Sequence, residues 1–196
     1  MQGYDFIPPW HDTGNCMDKR HIACVYELLM LLKPTRTLEI GGYSGCSSSA
    51  FIAAGIPDAH FAEIAPRRDF LSVIGDKAVH AVHPVKGCYV LANEAQFEVV
   101  LVDGSHELDA VKEELEQLLT KPPRVIIAHD VNSMNVGFPL CEGAAHLWNE
   151  LVRLGWTGRV DLKAREGERT DRGLLMATNS PDTLRYIDEA FNRTCK

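Results

Sequence analysis

Glycine and acidic residues stand close together between Arg36 and Gly55, and this combination could hold a small ligand. Glu39 ends an apolar run, and Gly41, Gly42 and Gly45 follow it. Glycine allows a positive φ and lets a ligand approach the backbone closely. A carboxylate favours a cation and repels a pyrophosphate. The stretch therefore predicts a loop that cradles a cationic ligand.

Further polar residues follow other apolar segments of the chain. Glu63 ends one segment, the residues from Asp103 to His106 follow a second, and those from His129 to Asn132 follow a third. In an open α/β sheet, ligands bind at the carboxyl ends of the strands, where the strand order reverses. We therefore expect all of these residues to meet the glycine loop in one site.

Short apolar segments alternate with helical patterns along the chain, as in "FEVVLVDG" followed by an amphipathic stretch. Continuously apolar strands are typical of parallel sheets covered on both sides. The sequence thus predicts an α/β fold that is Rossmann-like and doubly wound, with a mostly parallel seven-stranded sheet and helices on both faces. We expect one domain over residues 1–196, with 1–17 as an irregular arm. Strands are predicted near 37–40, 60–64, 79–85, 97–104, 124–130, 160–164 and 173–177, and helices near 18–32, 47–54, 68–74, 107–119, 143–154 and 181–191.

Composition excludes several classes of protein. The net charge is −7 with scattered basic residues, which argues against a nucleic-acid partner. No apolar run approaches the roughly 20 residues that cross a bilayer. The polar, proline-containing start does not resemble a signal peptide, so we expect no membrane association and a cytoplasmic location. The six cysteines show no CxxC pair, which predicts buried or idle thiols without a zinc site or a disulfide framework.

The glycine loop resembles the first motif of class I S-adenosylmethionine-dependent methyltransferases. The pattern E-x-G-x-x-x-G, from Glu39 to Gly45, fits that motif better than the G-x-G-x-x-G of dinucleotide enzymes. The resemblance implies a loop around the aminoacyl end of S-adenosylmethionine. It also implies that Glu63 accepts the two ribose hydroxyls, although a solvated loop carboxylate is the alternative. The cofactor-binding residues implied in the loop are Glu39, Gly41, Gly42, Tyr43, Ser44 and Gly45.

The segments "LVDGSHELDAVKEELEQLL" and "VIIAHDVN" are similar to those of cephalosporin-hydroxylase-like and macrolide sugar O-methyltransferases. The resemblance implies a divalent cation on Asp103, His129 and Asp130, with His106 as the general base. Asp103 would also lie beside the cofactor. Mg²⁺ prefers oxygen ligands, which Asn132 could supply, whereas imidazole suits Mn²⁺ better. The alternatives are a helix-capping role for Asp103 and a packing role for His106 near the adenine.

Relatives often place an acid against the adenine amino group after strand three. This sequence has Lys86, Gly87 and Cys88 there and no acid. Gly87 and Cys88 are therefore predicted only as neighbours of the ring, with the adenine held by backbone groups and apolar contacts.

The resemblance implies O-methylation of a small-molecule hydroxyl. Tyr4, Trp10 and His11 of the arm are predicted to line an acceptor pocket, and residues 132–143 form the preferred substrate-contacting loop. By analogy the apolar arm (Phe6, Ile7, Trp10) could instead serve a homodimer. Two other classes remain open: an NAD-type oxidoreductase, and a non-catalytic binding or scaffold protein on the same fold. Binding of S-adenosylhomocysteine or of NAD⁺ distinguishes them.

Overall fold

The computed structural model describes residues 4–10, 16–75, 80–132, 141–162 and 173–195. These residues form a seven-stranded sheet in the order β3-β2-β1-β4-β5-β7-β6. The strands are β1 Arg36–Ile40, β2 Asp58–Ala62, β3 His80–His83, β4 Val99–Val102, β5 Val125–His129, β6 Thr157–Asp161 and β7 Leu174–Thr178. The helices are α1 Lys19–Leu32, α2 Ser48–Ala53, α3 Arg68–Ile74, α4 Gly87–Asn93, α5 Leu108–Thr120, α6 Glu142–Arg153 and α7 Pro181–Thr194.

The sheet is parallel except at β7, which runs antiparallel to both β5 and β6. The chain begins in the middle at β1, moves outward to β3, and returns to β4 on the other side of β1. The strand order therefore reverses between β1 and β4. The prediction of a doubly wound, mostly parallel α/β sheet is confirmed.

Strand residues point alternately into two apolar cores on opposite faces of the sheet. Val99 and Leu101 belong to the core under α1, α2 and α7, whereas Val100 and Val102 belong to the core under α4, α5 and α6. Both faces must be apolar for this arrangement, which explains the continuous hydrophobic runs. The apolar residues that recur at helical spacing in α1, from Ile22 to Leu32, are buried as this spacing predicts. The helical spacing of α5 predicts that Leu119 is buried too, but this residue is 40% exposed.

Helix α4 is an element that the sequence patterns did not predict. It has only seven residues, of which Gly87, Val90 and Leu91 are buried. So few apolar positions do not produce a recognisable helical period. Strand β2 ends at Ala62, two residues earlier than predicted, so Glu63 follows the strand rather than lying within it.

Residues 4–10 of the arm pack against their own chain. Ile7 is 7% exposed and belongs to the α1-side core. The Tyr4 hydroxyl donates a 3.0 Å hydrogen bond to Glu27. This part of the arm is thus neither loose nor an exposed apolar surface. In the part of the chain that the structure describes, no helix has the length and hydrophobicity needed to cross a membrane.

Candidate active site at the carboxyl edge of the sheet

A cavity of about 540 Å³ lies at the carboxyl ends of the central strands. Its walls come from the segments after β1, β2, β4 and β5 and from the start of α4. The segments after these strands therefore converge as the topology predicts, although Asn132 does not line the cavity. The predicted site residues that line the cavity are Gly41, Gly42, Tyr43, Ser44, Glu63, Gly87, Cys88, Asp103, His106, His129 and Asp130.

The glycine loop is pressed against the end of β4. Gly41 has a φ of +89°, and a Cβ placed on it would lie 2.2 Å from the backbone oxygen of Asp103. Any larger residue would separate the two walls of the cavity at this point. Gly45 also has a positive φ, of +82°, and turns the chain into α2 without lining the cavity.

Glu39 lies behind the loop, is 0% exposed, and is not one of the residues that line the cavity. Its two carboxyl oxygens accept hydrogen bonds from the hydroxyls of Ser47 and Ser48. Burial raises the pKa of Glu39 to about 8, although the two serine hydroxyls lower it. The carboxyl is then largely protonated at neutral pH, and it organises the turn into α2 through hydrogen bonds.

Glu63 is held at the cavity wall by backbone amides. Its Oε2 accepts a 2.8 Å hydrogen bond from the Tyr43 N–H, and its Oε1 accepts a 2.9 Å bond from the Ala65 N–H. An ionised carboxylate has about four acceptor sites, so acceptor capacity remains for a ligand. Glu63 is consequently a positioned acid and not a loosely solvated one.

Four polar residues meet where β4 and β5 end. His129 Nδ1 lies 3.4 Å from Asp103 Oδ1 and 3.3 Å from Asp130 Oδ1, and Asp130 Oδ2 lies 3.1 Å from His106 Nε2. The His129 and Asp130 side chains are each 2% exposed, whereas Asp103 and His106 are 15% and 30% exposed. The buried side chains of His129 and Asp130 thus contact Asp103 and His106, which face the cavity.

The same residues have the composition of a divalent-cation site. Single ligand atoms of Asp103, His129 and Asp130 lie within 4.8 Å of one another. Two carboxylates and one imidazole suit Mn²⁺ or a similar transition metal better than Mg²⁺. Asn132 lies beside Gly173 and is not one of the described residues that line the cavity.

Opposing influences act on the pKa of His106. Burial lowers its pKa, but the hydrogen bond to Asp130 and the charges of Asp103 and Asp130 raise it, and the net pKa is raised. A histidine oriented by a buried carboxylate is the usual arrangement of a general base.

Helix α1 contributes a second buried histidine behind this group. The His21 ring packs edge-on against His129, with 5.7 Å between ring centroids. His21 Nε2 lies 3.4 Å from Asp161 Oδ2, and Arg20 Nε donates to that oxygen at 2.9 Å. Burial lowers the pKa of His21 to about 4, so the ring is neutral at ordinary pH. Residues of α1 and β6 therefore pack behind His129.

Comparison with known proteins gives a match in structure only. The sequence matches no protein-family model and no curated protein. TomG, an O-methyltransferase from Streptomyces achromogenes solved in complex with SAM, is 18% identical over 86% of this chain and 85% of its own, with a TM-score of 0.67. A putative O-methyltransferase from Klebsiella pneumoniae is 16% identical over 85% and 83%, with a TM-score of 0.67. The Bacillus cereus O-methyltransferase in complex with SAH is 16% identical over 88% and 84%, with a TM-score of 0.65.

This chain has the class I methyltransferase fold. The resemblance first inferred from the loop between Glu39 and Gly45 is thereby confirmed as a fold. At such low identity, the reaction has to be argued from the site residues themselves.

The methyltransferase fold brings two cysteines together that are 30 positions apart in sequence. Cys16 precedes α1 and Cys46 follows the glycine loop, and both line the cavity. Their sulfur atoms are 2.8 Å apart, and the Ser44 hydroxyl lies 3.1 Å from Cys16 Sγ. All six cysteines are free, and Cys46 is buried, as expected. The contact between Cys16 and Cys46 was not predicted, because spacing in sequence does not reveal contacts made through the fold.

Helix α5 contributes a residue that the sequence analysis did not single out. Glu114 lines the cavity and is only 5% exposed. It lies within the apolar stripe formed by Val111, Leu115 and Leu118. A carboxyl group within an apolar stripe is a signal that could have marked it, since buried acids are rare unless they are paired or functional.

Part of the predicted acceptor pocket is placed elsewhere. Tyr4 and Trp10 do not line the cavity, and Trp10 Nε1 instead donates a 3.1 Å hydrogen bond to the Ser44 carbonyl. Tyr4 and Trp10 are predicted to line the acceptor pocket, but Tyr4 packs against α1 and Trp10 against the glycine loop. His11 and residues 133–140 of the predicted substrate loop lie outside the described residues.

Proposed function

We propose that this protein is an S-adenosylmethionine-dependent methyltransferase that methylates a hydroxyl oxygen of a small molecule. The observation that carries the proposal is the position of Glu63. It is fixed by two amides beyond β2, in the same cavity as the glycine loop and the Asp103–His106 segment. An acid in this position suits the two hydroxyls of a ribose.

The cavity has a suitable group for each part of the cofactor. Glu63 would accept the ribose hydroxyls, and the backbone from Gly41 to Ser44 would surround the aminoacyl end. Gly87 and Cys88 would lie beside the adenine. When bound, S-adenosylmethionine supplies a methyl group activated by a sulfonium centre. The residues of this chain position the two reactants for in-line displacement.

His106 would be the general base. Its hydrogen bond to Asp130 fixes the ring at the cavity wall. A hydroxyl that attacks a methyl carbon must lose its proton, and the neutral imidazole of His106 would take it. Asp130 would stabilise the resulting imidazolium.

Asp103, His129 and Asp130 would hold a divalent cation, which would lower the pKa of the acceptor hydroxyl. The donor set supports this part of the proposal, because the three ligand atoms are already within 4.8 Å of one another. Asp103 would supply the more exposed ligand atom, and His129 and Asp130 would supply buried ones.

We further propose that the only small molecules involved are the cofactor and the acceptor, with no nucleic-acid or membrane partner. A homodimer is proposed by analogy alone and is tested by light scattering.

The first test is calorimetric titration of the purified protein with S-adenosylhomocysteine, with NAD⁺ as the control ligand. We expect micromolar affinity for the former and no binding of the latter. Binding of NAD⁺ alone would favour an oxidoreductase, and binding of neither would favour a scaffold. If S-adenosylhomocysteine binds, hydroxyl acceptors are screened by its release, with Mn²⁺, Mg²⁺ or EDTA. Equal rates with Mn²⁺ and EDTA would remove the metal from the proposal.

A further inference from the structure

Glu114 carries an oxygen atom that the surrounding protein leaves unsatisfied. The residue is 5% exposed, and its Oε2 has no hydrogen-bond partner among the described residues. It nevertheless belongs to the cavity wall. A buried acceptor without a donor is unfavourable, and a ligand that supplies a donor would recover that loss.

The surroundings of Glu114 place it on one side of the cavity. Glu113 and Lys86, which also line the cavity, act on its charge, and Cys88 Sγ lies 3.7 Å from Glu113 Oε2. Burial, the largest cause, and the charge of Glu113 raise the pKa of Glu114 to about 7, although the charges of His106 and Lys86 lower it. Glu114 therefore lies on the wall shared by α5 and the start of α4.

We propose that Glu114 accepts a hydrogen bond from the 6-amino group of the bound adenine and thereby selects adenine nucleosides. This inference rests on the proposed function. If Glu63 holds the ribose and the glycine loop holds the aminoacyl end, the ring lies against the wall of Gly87, Cys88 and α5. The start of α4 offers no acid there. Glu114 supplies the acceptor from a different helix.

The chemistry of the 6-position makes the proposal selective. Adenine presents an N–H donor at that position, whereas a 6-oxopurine presents a carbonyl oxygen. Above its pKa, Glu114 is ionised and has no proton to donate, so a carbonyl opposite it would leave two acceptors facing each other without a donor. A 6-oxopurine should then bind more weakly, and the comparison is therefore made in alkaline buffer.

The test compares S-adenosylhomocysteine with its 6-oxo analogue, S-inosylhomocysteine, by calorimetric titration. Three proteins are used: the wild type, Glu114→Leu, and Glu116→Leu as an exposed control on the same helix. We expect the wild type and Glu116→Leu to prefer the 6-amino ligand by roughly tenfold or more. Glu114→Leu should lose that preference and bind S-adenosylhomocysteine roughly tenfold more weakly.

A thermal unfolding measurement without ligand separates a binding role from a structural one. Because Glu114 is an unsatisfied buried acid, Glu114→Leu should unfold at a temperature equal to or higher than that of the wild type. The inference is overturned if Glu114→Leu keeps both the wild-type affinity and the 6-amino preference, and the proposed function then stands. If the wild type binds neither nucleoside, the proposed function and this inference fail together.

Discussion

Asp130 Oδ2 lies 3.1 Å from His106 Nε2, while the other oxygen of the same carboxylate lies 3.3 Å from His129 Nδ1. One buried carboxylate therefore contacts both the proposed base and a proposed metal ligand. The Asp130 backbone has a φ of +61°, a conformation uncommon for a residue other than glycine. Such backbone geometry is found preferentially at functional sites.

Replacing Asp130 with asparagine should impair the base without removing the cavity. Loss of the carboxylate charge removes one of the influences that raise the pKa of His106 and weakens the hydrogen bond that supplies another. His106 acts as a base when its imidazole is neutral, so the activity rises as the pH passes through its pKa. Because this pKa is lower in the variant, the activity of the variant should rise at lower pH. We expect kcat to fall roughly 10- to 100-fold, with S-adenosylhomocysteine affinity nearly unchanged. The pH dependence of kcat/KM checks this. If the acid limb of the variant's profile lay at the same pH as that of the wild type, the coupling between Asp130 and His106 would be refuted.

Gly41→Ala should disrupt both folding and cofactor binding. The added Cβ would meet the Asp103 carbonyl at 2.2 Å, where the φ is +89°. We expect a loss of roughly 2 kcal/mol or more in the free energy of unfolding. Gly55→Ala is the matched control because its φ is also positive, at +67°, but nothing lies within 4 Å. It should cost only about 1 kcal/mol. Urea denaturation compares them, and equal losses would contradict the close contact.

Glu39→Gln should flatten the pH dependence of stability. The folded-state pKa of Glu39 is raised from 4.5 to about 8 by burial. Between these values the folded state holds a proton that the unfolded state has released, so stability is lost as pH rises through this window. Relative to the wild type, the variant should gain on the order of 1 kcal/mol per pH unit from pH 5 to pH 8. Denaturant melts at several pH values test this, with exposed Glu116→Gln as control. A constant difference across the window would show that Glu39 is ionised when folded.

Mild oxidation with hydrogen peroxide should join Cys16 to Cys46. The two thiols lose two hydrogen atoms to form one S–S bond, and the peroxide is reduced to two water molecules. The 2.8 Å separation of the sulfurs makes this pair accessible to each other without refolding. Both the Cys16 hydrogen bond and burial raise the pKa of Cys46, so the reaction should be faster in alkaline buffer. Peptide mapping identifies the linked peptides. Cys16→Ser should abolish the product, and Cys88→Ser should leave it intact.

The architecture was predictable because strong patterns determine it. The continuous apolar runs of β4 and β5 and the helical period of α1 left little choice of sheet type. Glu63 follows β2 and Asp103 follows β4, so topology alone places both at one edge of the sheet. These are local signals that the fold did not override.

The missed features depend on contacts between distant elements. Helix α4 buries too few residues to show a period, and the Cys16–Cys46 contact requires the arm to lie beside the loop. The position of Glu39 before the glycines predicts that it contacts the ligand. Its side chain instead faces Ser47 and Ser48, a direction that sequence order does not reveal. Glu114 was overlooked because acids on amphipathic helices usually face solvent.

Strand β7 lies between β5 and β6 although it is the last of the three in the chain. During synthesis, β6 emerges with no strand to pair with, and β5 presents an open edge until residues 174–178 appear. Helix α1 likewise lacks its packing partner until α7 has been synthesised. Open edges on a nascent chain are templates for aggregation. A ribosome that stalled before β7 would therefore hold a chain that needs chaperone protection, even though the five parallel strands β1 to β5 and the glycine loop would already have been made.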